Sequence, residues 1–410
     1  MNAEEKLAIL GAAAKYDICA SSCAKSSPPI TNNRIGDLNA GGICHSYTPD
    51  GRCVSLLKVL MTNSCRNDCH YCVNRRSNDF NRTSFQSEEL ARLFMEMYKR
   101  NYVEGLFLSS GVKENTTKTM EEMIKTVEIL RFNYRYHGYI HLKILPNTSE
   151  DLVKRSAKLA TRLSINLEAP NPKRLSSIAG EKDFMKDLIG TMSFIQKEAD
   201  KGLLKGGHTT QFVVGASGES DSEILKTTNW LYKTKSLKRA YFSAFIPQEK
   251  KEGEPSSLVN IPSAPPLLRE HRLYQTDWLL RVYKFSLDEI ALDSDGNLFL
   301  DIDPKVAYAI KNRDKFPVEI NKASFDELLR VPGIGVQSAR RIWMARKSYR
   351  FTEPKELKNL GVTTKRALPF LTINGKLHSR VEKLFSVKQL SLFDRKLTSA
   401  HEEGMMVLNG

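Results

Sequence analysis

The sequence predicts an α/β protein, a parallel βα array followed by a small all-α domain. Three observations predict it. Between residues 54 and 246, six apolar runs alternate with helix-like amphipathic stretches, the pattern of parallel strands joined by crossover helices. From about Pro317 the chain turns to short basic helices. Its 410 residues, 41% hydrophobic and 27% charged, suit two or three domains with sizeable cores, and they exclude collagen, coiled coil and wholesale disorder. A doubly wound sheet and an incomplete barrel both fit the array. In either, ligands sit at the C-terminal ends of the strands.

Taken in order, the apolar stretch 7–14 reads as a helix. Glu4 and Glu5 outnumber Lys6 there, which argues against a signal peptide and for a cytoplasmic protein. No apolar run approaches the ~18 residues of a membrane span. The strands fall at 54–61, 103–108, 139–145, 163–167, 211–214 and 241–245. Ser87, Glu88 and Glu89 open the first crossover helix with capping chemistry, and Leu90, Leu93, Phe94, Met97 and Tyr98 form its apolar face. Further helices are expected at 119–131, 149–159, 182–199 and 220–232. Residues 247–268, rich in Pro, Ser and charge, read as a long loop or lid. A sixth helix over 269–285 closes the array, and 297–302 reads as an extra strand. The organisation follows: an N-terminal extension at 1–50, the array at 51–312, a helical domain at 313–375 and a tail at 376–410.

Net charge is +15, and residues 311–410 carry +10 of it. Such a concentration suits a module that binds a polyanion, although a solvated basic face would look the same.

All seven cysteines fall between residues 19 and 72, a clustering that points to metal or redox chemistry in an intracellular chain. Cys65, Cys69 and Cys72 are spaced C-x3-C-x2-C directly after the first strand, with Tyr71 before the last. Three thiolates on one loop can hold three irons of a [4Fe–4S] cluster and leave the fourth open to an outside ligand. Zinc, with His70 or Cys53 as fourth ligand, and a packed set of thiols are the alternatives.

Motif and architecture together resemble the radical S-adenosylmethionine (SAM) superfamily, over about residues 50–285. The resemblance implies a partial (βα)6 barrel with Cys65, Cys69 and Cys72 binding the cluster. It implies that the open iron chelates SAM, and that a reductant such as flavodoxin or ferredoxin supplies the electron that cleaves SAM to a 5′-deoxyadenosyl radical. Ser109, Ser110 and Gly111 stand where the superfamily often has Gly-Gly-Glu. Asn166 and Glu168, with Ser164, share one face of the fourth strand by period two. Gly215 follows the fifth strand and Ile246 the sixth, where the superfamily contacts the adenosyl group. Upstream, Cys19, Cys23, Cys44 and Cys53 form C-x3-C-x20-C-x8-C. That set suits an auxiliary iron–sulfur cluster, a zinc, or buried inert thiols.

In the C-terminal quarter, residues 325–342 read as helix, tight turn, helix. Gly333 and Gly335 permit close backbone approach, and Ile334 lies between them. The free amides opening the second helix suit a phosphate. Ser338, Arg340 and Arg341 lie beside them. This resembles the helix-hairpin-helix motif of DNA repair and recombination proteins, which implies backbone binding to DNA. Residues 357–368 look like a degenerate second copy. Gln389-Leu390-Ser391-Leu392-Phe393 resembles the pentapeptide with which bacterial repair and replication proteins bind the sliding clamp. There Leu392 and Phe393 would anchor in an apolar groove and Gln389 would bond at its rim. The whole arrangement resembles a bacterial family of radical SAM proteins described as DNA-modification or repair proteins with a C-terminal helix-hairpin-helix. The expected function is radical chemistry on DNA. An RNA-modifying enzyme and a DNA-binding adaptor with a structural cluster are the alternatives.

Overall fold

The structure is a computed structural model that describes residues 1–14, 43–47, 53–246 and 266–379. Two compact units emerge: Met1–Glu219 with Trp230–Pro266, and Ser220–Asn229 with Leu267–Gly410.

The first unit is built on one seven-stranded sheet: β1 (Ile43–Tyr47), β2 (Cys53–Leu60), β3 (Gly105–Ser109), β4 (Tyr139–Lys143), β5 (Arg162–Ser164), β6 (His208–Val214) and β7 (Arg239–Ala244). Strand order follows the sequence from β1 to β7. β1 is antiparallel to β2, and every later neighbour is parallel. A doubly wound sheet reverses its order at a switch point. This one never reverses, so the curled half-barrel is the correct alternative. The six expected strands are all present, and β1 is an addition that the apolar pattern did not reveal.

The first unit's helices are α1 (Ala3–Ala13), α2 (Ser87–Lys99), α3 (Thr116–Glu128), α4 (Glu150–Leu159), α5 (Pro172–Ile178) and α6 (Thr191–Asp200), and α7 (Asp221–Thr234) is divided between the units, with its residues up to Asn229 in the second. Leu90, Phe94 and Met97 of α2 are buried as their spacing requires. The capping box of this helix is made by Gln86 and Glu89. The single helix expected over 182–199 is one continuous helical run that changes register: Asp183 caps a π-helical segment, Phe184–Gly190, which passes directly into α6. No helix among the described residues is long and apolar enough to cross a membrane.

The second unit holds α8 (Leu267–Arg281), α9 (Pro304–Lys311), α10 (Phe325–Arg330), α11 (Val336–Ala345), α12 (Pro354–Asn359) and α13 (Thr364–Ala367). It also carries a small sheet of β8 (Val318–Glu319), β9 (Leu371–Ile373) and β10 (Lys376–Leu377), too short for a periodicity signal, so the region is not purely helical. Residues 297–302 form no strand. Their backbone partners lie elsewhere: the Leu298 amide donates to the Asp221 carboxylate at 2.8 Å, and Asn297 closes a turn onto Asp293. One apolar core, including Phe299, Val306, Ile310, Leu328, Ile334, Ile342, Leu357 and Phe370, runs from Ala291 to Ile373 and so draws on residues either side of 312.

Candidate functional site

The cysteine loop leaves the C-terminal end of β2 and lies against the segment after β3. Met61 donates to the Ser109 carbonyl at 2.8 Å, Gly111 to Thr62 at 2.8 Å, and Arg66 to Val112 at 2.8 Å. A Cβ on Gly111 would stand 2.7 Å from the Ser64 carbonyl oxygen and 3.2 Å from the Cys65 Cβ. Only glycine leaves the two segments this close.

Arg82 fastens the loop from the far side. Its guanidinium donates to the carbonyls of Asn63 at 2.9 Å, Arg75 at 2.8 Å and Asn78 at 2.9 Å, and it stacks 4.4 Å from the Phe80 ring centroid. One planar fork thus satisfies several main-chain acceptors at once. The Cys72 amide donates to the Cys69 carbonyl at 3.0 Å, and that of His70 to Ile178 at 2.8 Å.

Cys65, Cys69 and Cys72 line one cavity of about 150 Å³ at the strand ends, together with Ser109, Ser110, Gly111, Asn166, Glu168 and Ile246. Lys143, Lys182, Gln211 and Ser243 complete its polar wall. Gly215 is not among the lining residues. Its amide is given to Glu219 at 2.6 Å, and Ser217 binds the same carboxylate.

Burial pushes the Cys72 thiol up to about 12. It raises Cys69 as well, against a lowering by Lys182. The free Cys69 and Cys72 thiols therefore hold their protons, and metal binding there must displace them. Lys182 donates to the Tyr71 hydroxyl at 2.8 Å. Burial disfavours its ammonium, but Cys69, Glu168 and Cys72 outweigh that and shift it upward. Burial raises the Tyr71 hydroxyl, with Cys69 and a hydrogen bond to Glu168 adding to it. Glu168 is 7% exposed and sits at φ +64°, a left-handed conformation that costs a non-glycine residue about 1–3 kcal/mol. The surrounding ladder holds it there: its amide donates to Gln211 and its carbonyl accepts from Val213.

Among the described residues no three His, Cys, Asp or Glu side chains converge on a single metal ion. A four-iron cluster asks for something else, one thiolate per iron. Three thiols lining one cavity fit that group.

The sequence from 59 to 231 matches the Radical SAM superfamily model, and 314–366 matches the helix-hairpin-helix motif. The chain carries a radical SAM domain and a helix-hairpin-helix motif. No curated protein matches it. Among solved structures, the [FeFe]-hydrogenase maturase HydG from Carboxydothermus hydrogenoformans is similar at 17% identity and TM-score 0.41, over 54% of this chain and 49% of that one. Methylornithine synthase (PylB) is similar at 14% and 0.39, over 54% and 60%. A radical SAM methyltransferase from Sphaerobacter thermophilus is similar at 14% and 0.37, over 53% and 68%. The chain spans about half the length of the HydG structures it matches. The radical SAM domain implies a [4Fe–4S] cluster and SAM as cofactors.

In the helix-hairpin-helix, α10 and α11 flank the turn. Gly333 has φ +83°, and a Cβ there would meet the Thr363 carbonyl oxygen at 2.7 Å. The Gly333 carbonyl in turn accepts from Thr363 at 2.9 Å, which ties the turn to the second, degenerate hairpin. Gly335 is the N-cap of α11, with no side-chain cap. The opening amides of α11 therefore lack both intrahelical and side-chain partners. Ile334 and Ser338 are buried, whereas Arg340 is exposed. Arg341, also exposed, reaches the Leu360 carbonyl at 3.4 Å. What the hairpin presents is thus its backbone and its arginines.

Cys44 is half-buried on β1, opposite Leu56, and Cys53 opens β2 opposite Tyr47. Cys19, Cys23 and the pentapeptide residues Gln389, Leu390, Leu392 and Phe393 lie outside the described residues. Lys182, Arg82, Lys143 and Gln211 escaped the sequence reading. Only Lys143, the last residue of β4, had a strand-end position to signal it, whereas Gln211 lies inside β6.

Proposed function

We propose that this radical SAM enzyme acts on DNA, in repair or modification. The observation that carries the reading is the uncapped, glycine-bounded turn of the helix-hairpin-helix, set in the +10 quarter of a chain whose other unit holds a three-cysteine cavity. Cys65, Cys69 and Cys72 would hold the cluster. The Ser109–Gly111 backbone, Asn166, Glu168 and Ile246 would hold SAM. A cluster held there and reduced would supply the electron for reductive cleavage of SAM. The protein's own part is to bind, orient and exclude water. Lys182 holds Tyr71 in place, Arg82 holds the cysteine loop, and the polar wall of Lys143, Gln211 and Ser243 faces the remaining space. A target base in a duplex would have to be flipped out to reach such a cavity. The pentapeptide at 389–393 would tether the enzyme to a sliding clamp.

The test is anaerobic reconstitution with iron and sulfide, reduction, addition of SAM and quantification of 5′-deoxyadenosine with and without nucleic acid. Release stimulated by DNA is the expected result. Stimulation by RNA alone would move the substrate to RNA. No release from an intact, reducible cluster would overturn the enzyme reading in favour of a DNA-binding adaptor.

A further inference from the structure

Beneath the hairpin turn lies a buried cation that the motif itself does not supply. Lys305, in the first turn of α9, is 8% exposed. Its Nζ donates to the Ile334 carbonyl at 2.6 Å and lies 4.4 Å from the Tyr283 ring centroid. Burying an ammonium against neutral partners is costly, and an apolar side chain of the same length would fill this space without that cost.

Peptide geometry gives the lysine something to do. A trans peptide sets its C=O and N–H on opposite sides. With the Ile334 carbonyl turned inward onto Lys305, the Gly335 amide of the same peptide is turned outward, alongside the uncapped first turn of α11. We propose that Lys305 is the positioning residue of this turn, clamping the Ile334–Gly335 peptide so that its outward amide meets a nucleic-acid phosphate already oriented. The inference rests on the nucleic-acid reading above and deepens it. Orientation in advance removes an ordering cost at the moment of binding.

The grip is ionic and therefore sensitive to pH. Burial pulls the Lys305 ammonium down to about 7; Asp303 opposes this, while Arg366 and Arg330 push further down. The other groups facing it are the Tyr283 ring and the Ile334 carbonyl. Below about 7 the turn is held by a charged donor, and above it by a weaker neutral amine. A phosphate arriving beside it favours the charged form, so binding takes up a proton.

The experiment titrates full-length holoprotein onto a short fluorescein-labelled DNA duplex of mixed sequence at low salt, at pH values spanning about 7. Wild type should bind more weakly as pH rises through that value. Lys305→Met should bind about tenfold more weakly at the acid end, the scale of one charge-assisted hydrogen bond, and lose that pH step. Lys305→Arg, permanently charged, should bind tightly and also lose it. A Lys305→Met protein with wild-type affinity and profile overturns the inference, as does a Lys305→Arg protein that titrates like wild type. Should Lys305→Met fail to fold, the arginine variant decides. Arg340→Ala separates the two readings. If it weakens binding while Lys305→Met does not, only the clamp fails. If wild type does not bind, or Arg340→Ala changes nothing, the hairpin reading fails first.

Discussion

At the scale of single residues, the cavity is held by side chains whose sequence positions advertise nothing. Arg82 follows Cys72, the last cysteine of the cavity, by ten positions, and Lys182 stands 111 positions after Tyr71, which it touches. The cysteines were legible because their chemistry is local: three thiols on one loop declare themselves by spacing. Lys182, Glu168 and Tyr71 were not legible as a group, because only the closing of the sheet brings them together. Lys305 belongs with them, and its burial has a consequence for stability whose sign is opposite to that for binding. Its folded value is about 7 against an ordinary 10.5. Between those limits the unfolded chain binds more protons than the folded one, so unfolding free energy rises with pH. This contribution is least favourable below about 7 and grows above it. Lys305→Met should flatten that part of the profile and be the more stable protein on the acid side, measured by denaturant unfolding at a series of pH values. A variant that loses stability equally at every pH would mean that the lysine stem, and not its charge, sets the cost.

Elements were legible where one signal governed them and obscure where two competed. The strands β2 to β7 were found because their apolar runs are bounded by turns and crossover helices. β1 was missed because Cys44, His45 and Ser46 give it no apolar alternation. The helix expected over 182–199 kept its apolar period through Phe184, Leu188 and Ile189, which masked the π-helical register of its first turns. α5 was missed although Asn171 and Pro172 are a helix-start pair, an N-cap followed by proline at the first position. In the hairpin, sequence and structure agree on the two glycines but give them different work. Gly333 is required by conformation and by space: φ is +83°, and the nearest obstacles, Thr363 O and Ala367 N, are main-chain atoms that cannot swing aside. Gly335 has φ −87°, and its Cβ would find only the Tyr283 hydroxyl at 3.6 Å. Gly333→Ala should therefore destabilise the second unit by ~2 kcal/mol or more, whereas Gly335→Ala should leave stability within about 1 kcal/mol of wild type. Denaturant unfolding of the two variants checks the contrast. Equal losses would mean that the turn does not press on the second hairpin as described.

For the whole molecule, the question is whether the metal site and the hairpin depend on each other. Every cysteine lies at or before residue 72, and the second unit begins at Ser220. The buried apolar residues of the core under the hairpin run from Ala291 to Ile373, with Leu328, Ile334, Ile342 and Leu357 fully buried among them. Each such side chain is worth roughly 1.5–3 kcal/mol on burial, so this core has its own source of stability and needs no metal. Charge divides in the same way, with +10 of +15 in the last hundred residues. Cys69→Ala should accordingly abolish the iron–sulfur absorbance and SAM cleavage, while duplex affinity stays within about twofold of wild type. The dependence of affinity on salt is the sharper readout, because its slope counts released counterions at about 0.9 per neutralised phosphate. An unchanged slope in Cys69→Ala would mean that the same arginines and lysines still meet the backbone. A shallower slope together with lost affinity would mean that the cluster supports the nucleic-acid surface, which is what the adaptor reading requires and the enzyme reading does not.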